Sequence, residues 1–305
     1  ALILSDTTQT GETFVYKQGD VPEDWSSENS DYIQQTLAGG PRQVIVERVD
    51  STEGYDAALN RLKNKRFNYL AVPGIEALNT DSIATWVKEK RKKDEKTFKA
   101  VLPNTAADHE SIINFTASEI KVGEKVYTTS EYTARIAGIL AGLPFSRSAT
   151  YYVLDEVESV LEIDDPDEAI DNGELIIIND GENIKIGRGV NSLTTLDPEG
   201  DKNEDFKSIR VVEIMDMIHD EIYENFRNNY IGKVPNTYDN QVLFINEVNI
   251  GFDELAGLEL LSPNEENRVW IDVEAQRKAW EKVGEDTSDW DDEKVKESSF
   301  KRNLF

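Results

Sequence analysis

Two histidines, His109 and His219, are the chain's only imidazoles, and it has no cysteine. Their neighbours decide what chemistry they could do. His109-Glu110 starts like the zinc-binding His-Glu-x-x-His helix, but the residue four places after His109 is Ile113. The second imidazole that such a site needs on the same helical face is therefore missing. His219 follows Met217 and Ile218 in a stretch of helical periodicity, the setting of a helix-face histidine without a metal role. The residue count permits a Ser-His-Asp site, but no Gly-x-Ser-x-Gly elbow occurs to present a serine. Gly187-Arg188-Gly189 has the opening of a dinucleotide loop, yet Ser192 holds the third glycine position and no helix pattern follows. That spacing favours a tight turn over a phosphate cradle. Asp197, Glu199, Asp201, Asn203 and Asp205 offer oxygens at alternate positions, as calcium loops do. Counted from Asp201, the sixth and twelfth positions hold Phe206 and Val212, where such a loop needs Gly and Glu. A solvated linker is the favoured reading. Nothing converges into a catalytic site, and no metal or cofactor is implied.

Composition narrows the classes further. The 305 residues include 33 Lys and Arg against 60 Asp and Glu, a net charge of −27. So acidic a surface argues against binding a phosphate backbone or an anionic membrane. Without cysteine there can be no disulfide, cysteine-zinc centre, iron–sulfur cluster or thiol nucleophile. Apolar runs are short, Leu175 to Ile178 being typical, and none nears the roughly 20 residues that span a bilayer. No basic segment followed by an apolar one marks a signal peptide. The acidic run from Asp286 to Glu293 reads as solvated surface. The chain opens on Ala1-Leu2-Ile3-Leu4 and closes on Leu304-Phe305, so both ends read as interrupted, with segments expected beyond each.

The elements that would position any site follow from periodicity. Strands are expected at the opening run, Gln43–Val49, Phe67–Val72, Phe98–Leu102 and around Ile112–Phe115. Helices are expected between them: Ser26–Leu37 ended by Gly39-Gly40, Tyr55–Lys63, and one capped by Asp81 with Ile83, Trp86 and Val87 on its apolar stripe. Alternation of this kind defines an α/β fold with a mixed, mostly parallel sheet and flanking helices. Lys121–Tyr127 reads as a hairpin around Gly123, and Glu174–Gly187 as one turned by Asp180-Gly181. Ser130–Leu143 is a helix whose Gly138 and Gly142 suit tight helix–sheet packing. After the turn-rich Asp197–Asp201 come one long amphipathic helix, about Asp205–Asn229, a second at Gln241–Leu255, and a strand at Arg268–Val273. Trp280 and Trp290 stand as isolated anchors beyond it. Two domains are expected, an α/β core over 1–196 and an α+β domain over 197–305.

Two blocks carry a resemblance. One runs from Glu110-Ser111-Ile112-Ile113-Asn114-Phe115-Thr116 through Gly123-Glu124-Lys125 to Arg135-Ile136-Ala137-Gly138-Ile139-Leu140-Ala141-Gly142. The other is Ile186-Gly187-Arg188-Gly189-Val190-Asn191-Ser192-Leu193-Thr194, followed by the long helix and Tyr230-Ile231-Gly232-Lys233-Val234-Pro235-Asn236. In this order and separation they resemble the tail sheath proteins of contractile phages and phage-tail-like bacteriocins, in their compact Gram-positive form. The resemblance implies a structural subunit and no enzyme. Such a subunit polymerises helically around an inner tail tube, contracts to drive the tube through a cell envelope, and meets a baseplate and a tail terminator. Terminal arms that lend strands to neighbouring subunits belong to the same picture. So does a place in a virion tail or tail-like particle made in the host cytoplasm, with neither nucleic acid nor membrane as partner. Lacking those arms, the chain as given is expected to be monomeric. The C-terminal domain would face the tube, making Lys207, Arg210, Arg227 and Lys233 the tube-contact candidates, against the alternative that they lie on ordinary solvated helix faces. The competing reading is an α/β hydrolase using His109 or His219.

Overall fold

The structure, a computed structural model, describes residues 1–6, 11–50 and 54–298. In chain order its first part contains β1 (Leu2–Ser5), β2 (Thr13–Tyr16), α1 (Ser27–Ala38), β3 (Val44–Val49), α2 (Asp56–Leu62), β4 (Tyr69–Ala71), α3 (Ala77–Asp94), β5 (Lys99–Pro103) and β6 (Ile112–Phe115). There follow β7 (Ile120–Val122), β8 (Lys125–Tyr127), α4 (Thr129–Gly142), α5 (Pro166–Asp171), β9 (Glu174–Leu175), β10 (Ile177–Asn179) and β11 (Ile184–Ile186). Helices α6 (Ile209–Asn225), α7 (Tyr238–Gly257), α8 (Val273–Lys282) and α9 (Asp292–Glu297) complete it. The chain divides into two compact units, Ala1–Glu213 and Ile214–Phe305, and α6 runs across the division. The Asp197–Asp201 turns lie inside the first unit.

The first unit is built on a seven-stranded sheet of order β2-β3-β1-β4-β5-β6-β9. Every neighbouring pair is parallel except β2 with β3. Parallel strands need both faces covered, and alternate residues serve the two faces. Leu2, Leu4, Val44, Val46, Val101 and Ile113 join one core with α1 and α4. Ile3, Ile45, Leu70, Ala100, Leu102 and Ile112 join the other with α2 and α3. Charges inside this sheet are paired, as burial demands. Buried Glu47 accepts from Arg61 Nε at 2.5 Å and from the Thr13 hydroxyl at 2.7 Å. Arg48 lies over the Trp25 ring, 4.0 Å from its centroid, with Asp6 at 3.5 Å.

Most expected elements form, and the departures have physical causes. Strand β2 was not anticipated: Thr13–Tyr16 is short and lies at the sheet edge, where a strand needs only one partner. Helix α3 begins at Ala77, a turn before Asp81, because it grows directly from the Val72–Ile75 turn, where Gly74 takes φ 74°. The expected strand from Glu174 divides. Glu174–Leu175 pairs with β6 in the main sheet, while Ile177–Asn179 forms the hairpin with Ile184–Ile186. Gly138 and Gly142 do pack tightly, but against a helix and not the sheet. A Cβ on Gly138 would lie 2.1 Å from the Thr36 carbonyl oxygen, and one on Gly142 2.1 Å from that of Gly39, both at the end of α1.

The long helix is interrupted at both ends. Asn203 accepts the Asp205 N–H at 3.2 Å and caps a single tight turn, Glu204–Lys207. Ser208 then takes extended backbone, and α6 starts at Ile209. At the far end, Phe226–Tyr230 form one wide turn, with the Ile231 N–H reaching the Phe226 carbonyl five residues back at 3.1 Å. In the second unit the rings of Phe226 and Tyr230 both meet Phe244 of α7, at 5.1 and 5.0 Å between centroids.

The strand expected at Arg268–Val273 does not form, and the described residues of the second unit contain helices but no strand. A strand exists only by pairing, and here one side chain takes that role. The Asn249 amide accepts the Val269 N–H at 2.8 Å and donates to the Val269 carbonyl at 3.4 Å. Trp280 and Trp290 are not isolated: their rings meet edge to face at 5.8 Å, beside α9, whose Val295 is fully buried.

Candidate functional site

His109 precedes β6 in a loop that the sequence left open. Its Nδ1 accepts the Ser111 N–H at 3.1 Å and lies 2.7 Å from Ser111 Oγ and 3.4 Å from the Glu110 carboxylate. With Nδ1 accepting, the ring proton belongs on Nε2. Burial drives its pKa down to about 4. The charge of Glu110 works against that shift, and Lys202, Lys88 and Arg91 reinforce it. The imidazole is thus neutral near pH 7. A serine beside a neutral histidine is the opening of a nucleophilic pair, but Ser111 is fully buried and has no room for a substrate. Neither histidine lines the cavities at Pro41–Ile45, at Arg188–Asn191, between Ile218 and Leu255, or beside Phe145. His219 is on the exposed side of α6, its ring parallel to Tyr223 at 6.3 Å and its Nδ1 3.4 Å from Asp220.

What His109 does belong to is a latch. Ser192 Oγ accepts the His109 N–H at 3.3 Å and donates to the His109 carbonyl at 3.0 Å, while the Ser192 N–H donates to Ile112 of β6 at 2.8 Å. Next to it, one Asp108 oxygen accepts the N–H groups of Thr194 and Thr195 at 2.8 and 2.9 Å. Burial alone would raise the Asp108 pKa, yet these bonds hold it down to about 2. The Glu110 pKa, which burial alone would raise, is kept low by the hydrogen bond from Lys202 at 2.8 Å.

The Gly-Val-Asn-Ser-Leu block is the other half of this latch. Fully buried Asn191 donates through its amide to the Phe206 carbonyl at 2.7 Å and accepts the Leu193 N–H at 3.0 Å. Its own N–H donates to Lys207 at 3.0 Å, and Ile209 donates to Gly189 at 3.0 Å. Lys99 of β5 adds an ion pair to Glu213 at 3.0 Å. The backbone groups of Gly187-Arg188-Gly189 are spent inside the chain, on Ile176 and the Thr150 hydroxyl. The block therefore fastens the first turn of α6 to the sheet.

The four tube-contact candidates fall into two pairs. In the first unit, Lys207 pairs with Glu204 at 2.7 Å, and Arg210 donates to the Phe145 carbonyl at 2.8 Å. In the second unit, Arg227 is exposed and lies over the Tyr223 ring at 5.6 Å, and Lys233, also exposed, donates to the Asn228 carbonyl.

Two further surfaces stand out. The sheet ends at β2 on one side and β9 on the other, so each presents an outer edge with no strand beside it among the described residues. The second unit is poor in core: Ile214, Tyr230, Val248 and Val295 are its buried apolar side chains among the described residues. Leu243, Ile250, Leu258, Trp270 and Val283 are each more than half exposed, Trp270 at 75%. The signal was present in α7, whose apolar residues surround the helix where an amphipathic helix would confine them to one stripe.

An open-edged sheet, a helix latched to it and a thinly packed second unit describe a part of something larger. Residues 49–192 match the phage tail sheath protein central domain and residues 201–297 the phage tail sheath C-terminal domain. The tail sheath protein of Clostridium phage phiCD119 is 37% identical over 316 aligned residues, covering 100% of this chain and 87% of the relative. The chain belongs to the phage tail sheath family. Among solved structures, the sheath tail protein of Desulfitobacterium hafniense superposes with a TM-score of 0.73 at 16% identity, covering 84% of this chain and 85% of that one. A chain of the anti-feeding prophage helical sheath in its contracted state superposes with a TM-score of 0.64 at 12% identity, covering 84% and 77%. These superpositions establish the shared fold, and the family establishes a structural protein of a phage-type tail.

Proposed function

We propose that this chain is the repeating subunit of a contractile sheath, which polymerises helically around an inner tube and shortens to drive that tube through a cell envelope. The observation that carries the proposal is the second unit. Among its described residues, four buried apolar side chains give it far too small a core for its length, since domains this small need a well-filled core or covalent staples to be stable. Its exposed Leu, Ile, Val and Trp side chains are the kind of surface that neighbouring copies bury. The β2 and β9 edges, unpaired among the described residues, suit strands lent by a neighbour's arm, whose main-chain hydrogen bonds persist while the bodies move. Work is then stored in the difference between two sets of contacts, so neither cofactor nor hydrolysis is required. The tube is a partner on this reading, and of the four candidates Arg227 and Lys233 are favoured because they are exposed, whereas Lys207 and Arg210 are half-buried. The baseplate, the tail terminator and synthesis in a host cytoplasm belong to the same proposal.

The test is assembly. Full-length protein produced with its cognate tube protein should yield striated tubes by negative-stain microscopy. Particles that remain monomeric across protein concentration and salt would overturn the sheath reading.

A further inference from the structure

The charges of the first unit are sorted along its strands. Residues 61–99 hold eleven Lys and Arg against five acidic residues, in a chain whose net charge is −27. They gather where the parallel strands begin. Lys63 ends α2 and Arg66 follows it just before β4, while Arg91, Lys92 and Lys93 form the last turn of α3, just before β5. Tyr69 of β4 lies level with Lys99 of β5, so these two approaches are neighbours. Stacking of Phe67 on Phe98 at 4.1 Å fixes them together. Some of these charges are spoken for: Lys90 by Asp94, Lys93 by Glu89 and Arg91 by Glu110. Lys63, Lys92 and Lys96 are exposed.

The acids gather where the strands end. From Asp155 to Asp165, ahead of α5, there are six acidic residues and no basic one. That stretch runs past the end of β6, beside the β7–β8 hairpin. The Leu161 N–H donates to Ser118 at 3.0 Å and the Glu158 N–H to Lys121 at 2.8 Å. Glu158 is paired with Lys121 at 2.7 Å, whereas Asp155, Glu162 and Asp164 are exposed.

We propose that the first unit is electrically polar along its parallel strands, and that copies dock head to tail, the basic strand-start end of one against the acidic strand-finish end of the next. This inference rests on the sheath reading and adds the surfaces and polarity of one contact. Complementarity identifies the occupant as a second copy of this chain. Two bodies of charge −27 repel in most orientations, so attraction is confined to the approach that brings unlike ends together. A contact between two different surfaces, repeated with a rotation, is what generates a helical array. Duplex nucleic acid is the other polyanion that a basic end could take, and the acids interspersed there, Glu89, Asp94 and Glu95, count against it.

The experiment reverses each end in the full-length protein and measures assembly by sedimentation and negative-stain microscopy. One variant carries Lys63→Glu, Lys92→Glu and Lys96→Glu, a second carries Asp155→Lys, Glu162→Lys and Asp164→Lys, and a third carries all six. Circular dichroism and melting of the dispersed subunit check that each folds. Each end reversed alone should raise the concentration needed for assembly about tenfold at low salt, and the six-fold variant should recover most of that loss. Variants that assemble like the parent, or a six-fold variant no better than the others, would overturn this inference and leave the sheath reading standing. A parent that never assembles overturns both. Duplex DNA binding by the parent that vanishes in the first variant would assign the basic end to nucleic acid instead.

Discussion

His109 shows what a single side chain can and cannot be asked to do. Half-buried among Glu110, Ser111 and Ser192, it keeps its ring neutral because loss of hydration disfavours the charged form and the three cations Lys88, Arg91 and Lys202 add to that. That preference has a sign. Its pKa is about 4 in the folded chain, against roughly 6.5 when the chain is unfolded. Between those values the unfolded state binds the proton and the native state does not, so stability falls as pH falls. Above the upper value neither form is charged, and the contribution is fully present. The carboxylates of Asp108 and Glu110, both held below their ordinary values, lose their share at lower pH. His109→Asn keeps an acceptor near the Ser111 N–H and removes the titration. We predict that the parent loses on the order of 1 kcal/mol more than this variant between pH 7 and pH 4.5, read from urea unfolding at the two pH values. Equal losses would mean that the ring titrates normally and that the latch does not confine it.

At the scale of elements, the sequence speaks clearly where local chemistry decides the outcome. Ser26 caps α1 by accepting the Asn29 N–H at 3.2 Å, and Thr128 with Glu131 forms the reciprocal cap of α4. Both are four-residue patterns that can be read without knowing the rest of the fold. The buried strands β3 to β6 were equally legible as β-branched runs bounded by turns. Legibility fails where the partner is distant. Nothing near Arg268–Val273 announces that Asn249, about twenty residues earlier, will supply the pairing that a strand would have given. The Gly-Val-Asn-Ser-Leu block could be recognised as a motif, but its work depends on a loop more than 80 residues upstream, at His109 and Asp108. The small residues of α4 signalled close approach without saying to what, and the answer is the end of α1. Gly138→Ala tests that contact. Its methyl would meet the Thr36 backbone, which is held by the Thr36 hydroxyl's own bonds to Tyr32 and Ala134 and cannot easily move aside. Such overpacking costs about 1–3 kcal/mol, so the melting temperature of the variant should drop. Alanine at Gly251, which has open space around it in α7, should not lower it and serves as the control.

For the whole molecule, the two units differ in how they reach stability. The first buries a full layer of side chains on each face of its sheet and places its charges in pairs. The second exposes much of its apolar surface and relies on small clusters, such as Phe226, Tyr230 and Phe244, or Trp280 with Trp290. On the contractile function proposed above, a subunit that exchanges one set of neighbours for another would gain from this division. The well-packed unit would keep its shape while the sparing one committed its apolar surface within the assembly. Trp270 separates this account from ordinary surface exposure. At 75% exposure it gives the isolated subunit little, so Trp270→Ser should change subunit unfolding by no more than about 0.5 kcal/mol. If a neighbouring copy covers the indole, the same change should weaken tubes by far more, since buried aromatic anchors cost at least about 2 kcal/mol when truncated at an interface. Denaturation of dispersed subunits and the assembly threshold of full-length protein measure the two quantities in one preparation. A large loss in the first would make Trp270 part of the subunit's own core. An unchanged threshold would move the contact elsewhere on the second unit, to the α7 face carrying Leu243 and Ile250 or to the neighbourhood of Val283.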